Sequence, residues 1–278
     1  MAMNANDINL ICDLVRRKSG IDLDSSKEYL IDARLVPLAR RLKLVGVGDI
    51  ILKLKQRDAA VERDVVDAMT TNETSFFRDV SPFEALKKSV LPDLITRRSA
   101  ERKLSIWCAA SSTGQEPYTI AMLLKENFPQ LASWNLSFIA SDLSRDVLNR
   151  ARAGKFSQLE VNRGLPATLL VKYFKKQGLE WEISPDLRKM IDFKEINLLE
   201  AWPSMPPLDL IFIRNVLIYF NQETKRQILQ RIRLLMRPEA YLFLGVAEGT
   251  MNIDEQFERG KFERSGCFQI KNANKAAA

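Results

Sequence analysis

The run 104-LSIWCAASSTGQEPYTIAMLLKEN-127 decides the fold. Leu104 to Ala109 is apolar and of strand length, Ser111-Ser112-Thr113-Gly114 reads as a turn, and Glu116 to Asn127 carries helical spacing. The same order recurs downstream. Leu136 to Ala140 reads as a buried strand ending at Ser141-Asp142, with a helix over Ser144 to Ala153. Met190 to Glu195, Leu208 to Ile213 and Tyr241 to Val246 supply three more strands. A helix over Gln222 to Leu235 separates the last two, with Pro238 as its stop, and Lys261 to Arg264 with Gly266 to Ile270 reads as a closing antiparallel pair. Alternation of this kind predicts an α/β domain built on a doubly wound, mostly parallel sheet.

Two segments depart from the alternation. The stretch 173-YFKKQGLEWEISPDL-187 turns at Gly178 and puts Trp181 and Ile183 in opposite phase to Glu182, so it reads as a small antiparallel hairpin inserted in the sheet domain. Upstream, residues 6 to about 70 read as helices only. The first places Ile8, Ile11, Leu14 and Val15 on one side. The second, capped by Ser25 or Ser26, has Tyr29, Leu30, Ala33, Leu38 and Leu42 inside and Arg34, Arg40, Arg41 and Lys43 outside, and ends at Gly46 and Gly48. A third spans about Asp49 to Lys55 and a fourth about Val61 to Met69. About 70 residues in four helices are enough to fold around a small core.

The 278 residues contain no histidine. That excludes Ser-His-Asp and Cys-His nucleophile systems, HExxH zinc proteases and Cys/His zinc fingers. Cys12, Cys108 and Cys267 lie far apart and fit reduced thiols better than a disulfide framework, with Cys108 reading as a small buried hydrophobe. The N-terminus lacks the basic and apolar regions of a signal peptide, and the most apolar window, Leu208 to Phe220, is interrupted by Arg214 and Asn215 and is too short for a bilayer. A cytoplasmic location without membrane insertion is expected. Forty-two Lys and Arg against 35 Asp and Glu give a net charge of +7, which favours an acidic partner without choosing its kind.

In an open parallel sheet ligands bind beyond the carboxyl ends of the strands, where the winding reverses. Four strand ends carry polar residues there: Ala110 to Glu116, Ser141-Asp142, Asn197-Leu198, and Arg214 to Tyr219. An acid after the second strand suits a ribose diol, whose two hydroxyls donate to two carboxylate oxygens. The first loop lacks GxGxxG, which argues against a pyrophosphate, and Glu116 at a helix start suits a cation such as an amino-acid ammonium. Ribose and ammonium without phosphate describe S-adenosylmethionine. Taken singly, Glu116 and Asp142 are equally well explained as helix-start acids balancing a dipole; their joint placement makes the case.

Thr71-Asn-Glu-Thr-Ser-Phe-Phe-Arg78, Ser112-Thr-Gly-Gln-Glu-Pro-Tyr118, Ala140-Ser-Asp142, Ile196-Asn-Leu-Leu199 and Arg214-Asn-Val-Leu-Ile-Tyr-Phe220 follow one another at spacings that closely resemble the chemotaxis receptor methyltransferases, the CheR family. The resemblance covers nearly the whole chain. It implies a class I, Rossmann-like methyltransferase fold and transfer of a methyl group from S-adenosylmethionine to glutamate side chains of membrane chemoreceptors, leaving S-adenosylhomocysteine and needing no metal. It also implies that Asn72, Thr74, Arg78, Glu116, Asp142, Asn197, Leu198, Asn215 and Val216 line the cofactor site, with Arg78 and Tyr219 nearest the transferred methyl. The expected organisation is a helical receptor-recognition domain over 1–75, a linker and first helix over 76–100, and the S-adenosylmethionine-binding domain over 101–271. The inserted hairpin lies within that domain, at 173–188, and a frayed tail over 272–278 follows it. The basic side of the second helix, Arg34, Arg40, Arg41 and Lys43, is expected to seat the acidic helical bundle of the receptor.

Two features depart from that pattern. Where many relatives have a Gly-His-Ser-Glu-like stretch after the fifth strand, this chain has Gly245-Val-Ala-Glu-Gly249. The insertion is also short and lacks a further glycine-rich loop, so independence from a C-terminal pentapeptide tether of the receptor is expected; a monomer is the default expectation. A nucleic-acid methyltransferase is the first rival reading. It is disfavoured because Arg214 to Tyr219 stands where an Asn/Asp-Pro-Pro-Tyr/Phe loop would hold a target amine, and no aromatic-basic stacking surface stands out. The second rival, a non-catalytic module that binds S-adenosylmethionine and docks on receptors, is disfavoured by the intact set Arg78, Glu116, Asp142, Asn215 and Tyr219.

Overall fold

The structure, a computed structural model, describes residues 3–23, 28–260, 262 and 265–271. It begins with four helices, α1 (Ala5–Ser19), α2 (Glu28–Arg41), α3 (Val47–Lys55) and α4 (Ala59–Met69), which enclose their own core of Ile11, Val15, Leu35, Ile50 and Val65. Asn4 caps α1 by accepting the Asp7 N–H at 3.0 Å, and Gly20 ends it in the left-handed region. The Ser25 and Ser26 caps expected for α2 lie outside the described residues. The buried stripe of α2 is Ile31, Leu35, Leu38 and Ala39, whereas Tyr29 is 72% exposed and Ala33 is also exposed. Two apolar stripes overlap on this helix, and the one that meets α3 and α4 wins. The helix stops at Arg41, and Gly46 instead caps α3.

Next come α5 (Val80–Ala85) and α6 (Leu91–Arg97), joined through a wider helical turn at Leu86–Val90. The alternating part follows as β1 (Lys103–Ala109), α7 (Gln115–Asn127), β2 (Asn135–Asp142) and α8 (Arg145–Ala153). The insertion comprises β3 (Lys155–Ser157), α9 (Gln158–Asn162), α10 (Ala167–Tyr173), β4 (Phe174–Gln177), β5 (Glu180–Ile183) and α11 (Pro185–Arg188). It is more than the expected hairpin. The short β3 adds to β5, giving a three-stranded antiparallel sheet in the order β3-β5-β4. The main sheet resumes with β6 (Asp192–Glu195), β7 (Leu208–Ile213), α12 (Gln222–Leu235), β8 (Met236–Leu244), β9 (Phe257–Arg259) and β10 (Cys267–Ile270).

The main sheet has the order β6-β2-β1-β7-β8-β10-β9; it is parallel through β8, and β10 is antiparallel to both its neighbours. Side chains alternate between two apolar layers. Ile106, Cys108, Phe212 and Phe243 pack on one face, and Trp107, Ile211, Ile213 and Leu242 on the other. Cys12, Cys108 and Cys267 are buried free thiols. The last pairing differs from expectation: β9 lies at Phe257–Arg259, before the Lys261 to Arg264 segment, of which 261, 263 and 264 lie outside the described residues. Pro238 does not stop α12 but sits within β8. The ladder jumps there from Leu208–Met236 to Leu210–Tyr241, and this irregularity tolerates a residue without an N–H. No helix among the described residues is long and apolar enough to cross a membrane.

The chain winds from β1 out to β6, then returns to β7 beside β1, so the winding reverses between β1 and β7. The helical module closes over this end of the sheet. Ile21 forms an antiparallel bridge with Phe220, the Asp22 N–H donates to the Tyr219 carbonyl at 2.9 Å, and Asn197 Nδ2 donates to the Lys18 carbonyl at 2.7 Å. On the flank, α4 faces α8, and Arg41 pairs with both Asp64 and Asp146. Burial, reinforced by Asp146, Asp64, Asp142 and Glu195, pushes the nearby Asp67 carboxyl up to about 6. A carboxyl raised in the folded state stabilises the fold below the unfolded value, and this contribution is lost as pH rises through about 6. Asp67→Asn is therefore expected to raise stability by about 1–2 kcal/mol at pH 7.5, at ~1.4 kcal/mol per pH unit discounted for screening, and to change little at pH 4. Urea melts at the two pH values check this.

Candidate active site

At the carboxyl ends of β1 and β7, where the winding reverses, a cleft of about 890 Å3, counted out to its open mouth, lies between the sheet and the helical module. All nine residues expected around a cofactor line it: Asn72, Thr74, Arg78, Glu116, Asp142, Asn197, Leu198, Asn215 and Val216. Tyr219 lines it as well. Reasoning from the sequence missed Ser19 and Ile21, which the end of α1 contributes, and Thr70 at the end of α4. Nothing in the local pattern of α1 signals that its end meets the turn after β7.

Asp142 ends β2 and is 7% exposed. Its two oxygens accept one backbone N–H each, from Ser112 at 2.8 Å and Ser144 at 3.0 Å. These bonds fix the carboxylate plane and leave each oxygen a further lone pair, the arrangement a vicinal diol requires. Burial raises the Asp142 carboxyl, and the N–H groups of Ser144, Ser112 and Leu143 pull the other way.

Glu116 is less free than its position in the sequence implies. One carboxylate oxygen pairs with Arg214, and the other accepts from Cys108 Sγ at 3.4 Å. Burial holds the Cys108 thiol well above its ordinary value, so it stays a neutral donor. The Arg214 side chain is 1% exposed, pairs also with Asp79 at 2.9 Å, donates to the Arg78 carbonyl at 3.0 Å and lies 5.5 Å from the Phe83 ring. One buried cation thus serves two carboxylates, and the group keeps a negative charge that suits an ammonium ligand.

The wall opposite the sheet is the linker from Thr70 to Arg78. The Ser112 hydroxyl donates to the Asn72 carbonyl at 2.9 Å, and the Phe77 N–H donates to Thr119 Oγ1 at 3.2 Å. Gly164 passes so close that a Cβ there would lie 2.1 Å from the Phe76 carbonyl oxygen, at a φ of +86°. Arg78 Nη1 donates to the Glu73 carbonyl at 3.0 Å, which orients the guanidinium and leaves its other donors for a ligand. The side chain of Asn197 is spent on Lys18, Glu200 and Leu199, so its part in the wall is to hold the helical module in place.

The four basic residues assigned from the sequence to the outer side of α2 separate into two kinds, and Lys43 lies in the turn beyond the helix end. Arg34 is turned inward: it donates to the carbonyls of Met69 and Thr70 and to Thr71 Oγ1, and lies close enough to Tyr219 for the two to interact electrostatically. Arg41 is held by Asp64 and Asp146. The sequence shows no acid between these residues, but the fold brings acids from α4 and α8. Arg40 and Lys43 are exposed and form no ion pair among the described residues.

Charged residues lining the cleft are Glu73, Glu116 and Asp142 against Arg78 and Arg214, with no lysine. Glu73 is paired with Arg163, so the lining sets Glu116 and Asp142 against Arg78 and the buried Arg214, whose charge Asp79 shares, a balance that suits a ligand bearing a sulfonium and an ammonium against one carboxylate. That balance, the diol-ready Asp142 and the loop after β1 without a GxGxxG are the features of an S-adenosylmethionine-dependent methyltransferase. Comparison with known proteins narrows this. Residues 72–265 match the CheR methyltransferase SAM binding domain and residues 6–70 the CheR methyltransferase all-alpha domain. The chain belongs to the CheR methyltransferase family. It is 40% identical over 262 residues to chemotaxis protein methyltransferase 1 of Pseudomonas aeruginosa, covering 92% of this chain and 94% of that one. It is 37% identical over 263 residues to chemotaxis protein methyltransferase Cher2 of Pseudomonas putida, at 92% and 95% coverage. Identity to the chemotaxis protein methyltransferase of Vibrio parahaemolyticus is 36% over 256 residues, at 91% and 92%.

Arg214→Ala leaves Glu116, whose side chain is 13% exposed, without a counter-charge. The expected cost is about 3–5 kcal/mol, read as a shift of the urea midpoint at constant slope.

Proposed function

We propose that this protein transfers the methyl group of S-adenosylmethionine to glutamate side chains on the cytoplasmic helical bundle of chemoreceptors, forming γ-glutamyl methyl esters. The observation that carries the reading is the cleft itself, in which Asp142 is preset for a diol, Glu116 stands at the start of α7 and Arg78 stands at the linker wall. Bound there, S-adenosylmethionine supplies an electrophilic methyl on a sulfonium and becomes S-adenosylhomocysteine when the methyl is taken. Asp142 would hold the ribose hydroxyls, Glu116 with its partner Arg214 would face the ammonium, and Asn72, Thr74, Asn197, Leu198, Asn215 and Val216 would complete the walls.

A glutamate carboxylate has a reference pKa near ~4.3 and is already anionic at neutral pH, so it attacks without a general base. A chain without histidine loses nothing by it. The protein has only to strip water from the carboxylate and to hold one oxygen in line with the methyl. Arg78 does the holding, because a guanidinium grips a carboxylate through two parallel hydrogen bonds. Too tight a grip would quench the nucleophile, so its contribution is positional. Tyr219, on the turn after β7, lines the methyl's path. Arg40 and Lys43, with Arg41 beside them, draw in the acidic receptor bundle, while Arg34 steadies the wall between helix and cleft. β4 is an open edge of its sheet, but the loop Gly178–Leu179 that joins it to β5 has only two residues and adds no side-chain pocket beside that edge, which supports independence from a receptor C-terminal tether.

Purified protein incubated with methyl-labelled S-adenosylmethionine and receptor-containing membranes is expected to label receptors, and mild base is expected to release that label as methanol. Base-stable label would mark nitrogen methylation and overturn the assignment. Arg78→Ala is expected to lower the rate about 100-fold or more. Asp142→Asn, which turns an amide against one of two backbone N–H donors, is expected to weaken S-adenosylhomocysteine binding about 10–100-fold by calorimetry. A receptor C-terminal pentapeptide is expected to give no binding heat; measurable binding would sink tether independence.

A further inference from the structure

Three backbone N–H groups from two loops converge on one carboxylate beside the cleft. Glu248 Oε2 accepts from Asn215 at 2.7 Å and from Gly245 at 2.6 Å, and Oε1 accepts from Ile218 at 3.2 Å. The Glu248 N–H donates to the Gly245 carbonyl at 2.9 Å, which closes residues 245–248 into a tight turn after β8. Glycine at 245 is a matter of room: a Cβ there would lie 2.6 Å from Glu248 Oε2 and 2.9 Å from the Asn215 nitrogen. The gripped residue is itself constrained, since Asn215 has a φ of +57°, in the left-handed region.

The turn that Glu248 grips is the one the reaction uses. Asn215 and Val216 line the cleft, and Tyr219 follows Ile218 directly. The turn's own backbone bonds run from Tyr219 to Val216 and from Phe220 to Leu217, whereas the Asn215 and Ile218 N–H groups both point out of the turn to Glu248. We propose that Glu248 is a positioning residue for methyl transfer: its carboxylate clamps the loop after β8 to the turn after β7 and so sets where Asn215, Val216 and Tyr219 stand. The proposal rests on the methyl-transfer reading of the cleft. It also accounts for the Val-Ala pair in this chain. Val246 and Ala247 occupy the outer corner of the turn and are exposed, with Val246 at 57%, so the clamp needs only Gly245 and Glu248 at its ends.

The test compares wild type, Glu248→Gln and Glu248→Ala by S-adenosylhomocysteine calorimetry, by kcat and KM for receptor methylation, and by thermal melting. Glutamine keeps one acceptor oxygen for Asn215 and Gly245 but sets an amide against the Ile218 N–H. Glu248→Gln is therefore expected to hold cofactor affinity within about threefold and to lose about tenfold in kcat, the equivalent of one hydrogen bond. Glu248→Ala is expected to lose cofactor affinity as well, by about tenfold or more. Native kcat and affinity in Glu248→Gln would overturn the proposal, as would losses in both variants that merely follow the folded fraction across temperature. If Glu248→Ala does not fold, the kcat–affinity split in Glu248→Gln decides alone. Wild type that binds no S-adenosylhomocysteine would overturn the reading of the cleft and the clamp with it; wild-type binding with unaltered variants overturns the clamp only.

Discussion

A single guanidinium holds the centre of this molecule together. Arg214 emerges at the end of β7, where the sheet reverses its winding, and its side chain is 1% exposed. Burying such a charge costs several kcal/mol unless it is paired. Here the partners come from different segments: Glu116 at the start of α7, and Asp79 with the Arg78 carbonyl in the linker. The cost of desolvating Arg214 therefore fixes where the linker runs, and the linker is one wall of the cleft. Phe83, on α5, packs against the same guanidinium and joins it to the apolar layer beneath.

From that pairing the charge balance of the site follows. Two carboxylates share one buried cation, Asp142 adds a carboxylate held by backbone donors, and Arg78 stands at the linker wall. A cleft so charged suits a cationic cofactor, and Arg78 is the cation that the proposed function assigns to an incoming carboxylate. Catalysis of this kind needs no side chain that gains or loses a proton. Desolvation and orientation are enough when the nucleophile arrives as an anion.

The sheet domain is legible in the sequence because its information is local. Apolar runs of strand length, closed by turn residues and followed by helical spacing, fix β1, β2, β6 and β7 within two residues and the buried end of β8, and the polar residues at the strand ends then fall on the site by the topology of the fold. What escapes has non-local causes. β3 is three residues long and exists because β5 pairs with it. The apolar stripe of α2 is misjudged because two stripes compete on it and only packing against α3 and α4 selects one. Pro238 looks like a helix stop because the ladder irregularity that admits it arises between two strands. The free-standing reading of Glu116 fails for a similar reason: Arg214 lies 98 residues away in sequence.

The basic helix α2 shows the same limit for charge. Its run of arginines reads as one exposed positive face, yet two of the four side chains turn to internal partners. Arg34 reaches the linker and the neighbourhood of Tyr219, and Arg41 ties the helical module to α8. The exposed positive charge on this helix is therefore smaller than the sequence implies, and the module is more than an appended recognition surface. Ser19, Ile21 and Thr70 line the cleft from the module, while Arg34 braces the linker between them and the sheet. An acidic partner seated on Arg40, with Lys43 in the turn just beyond, would rest on the same helix whose Arg34 steadies the cleft wall. On the proposed reading, the element that gathers the substrate would thus be part of the scaffold that aligns it, with Pro37 standing inside α2 between Arg34 and Arg40.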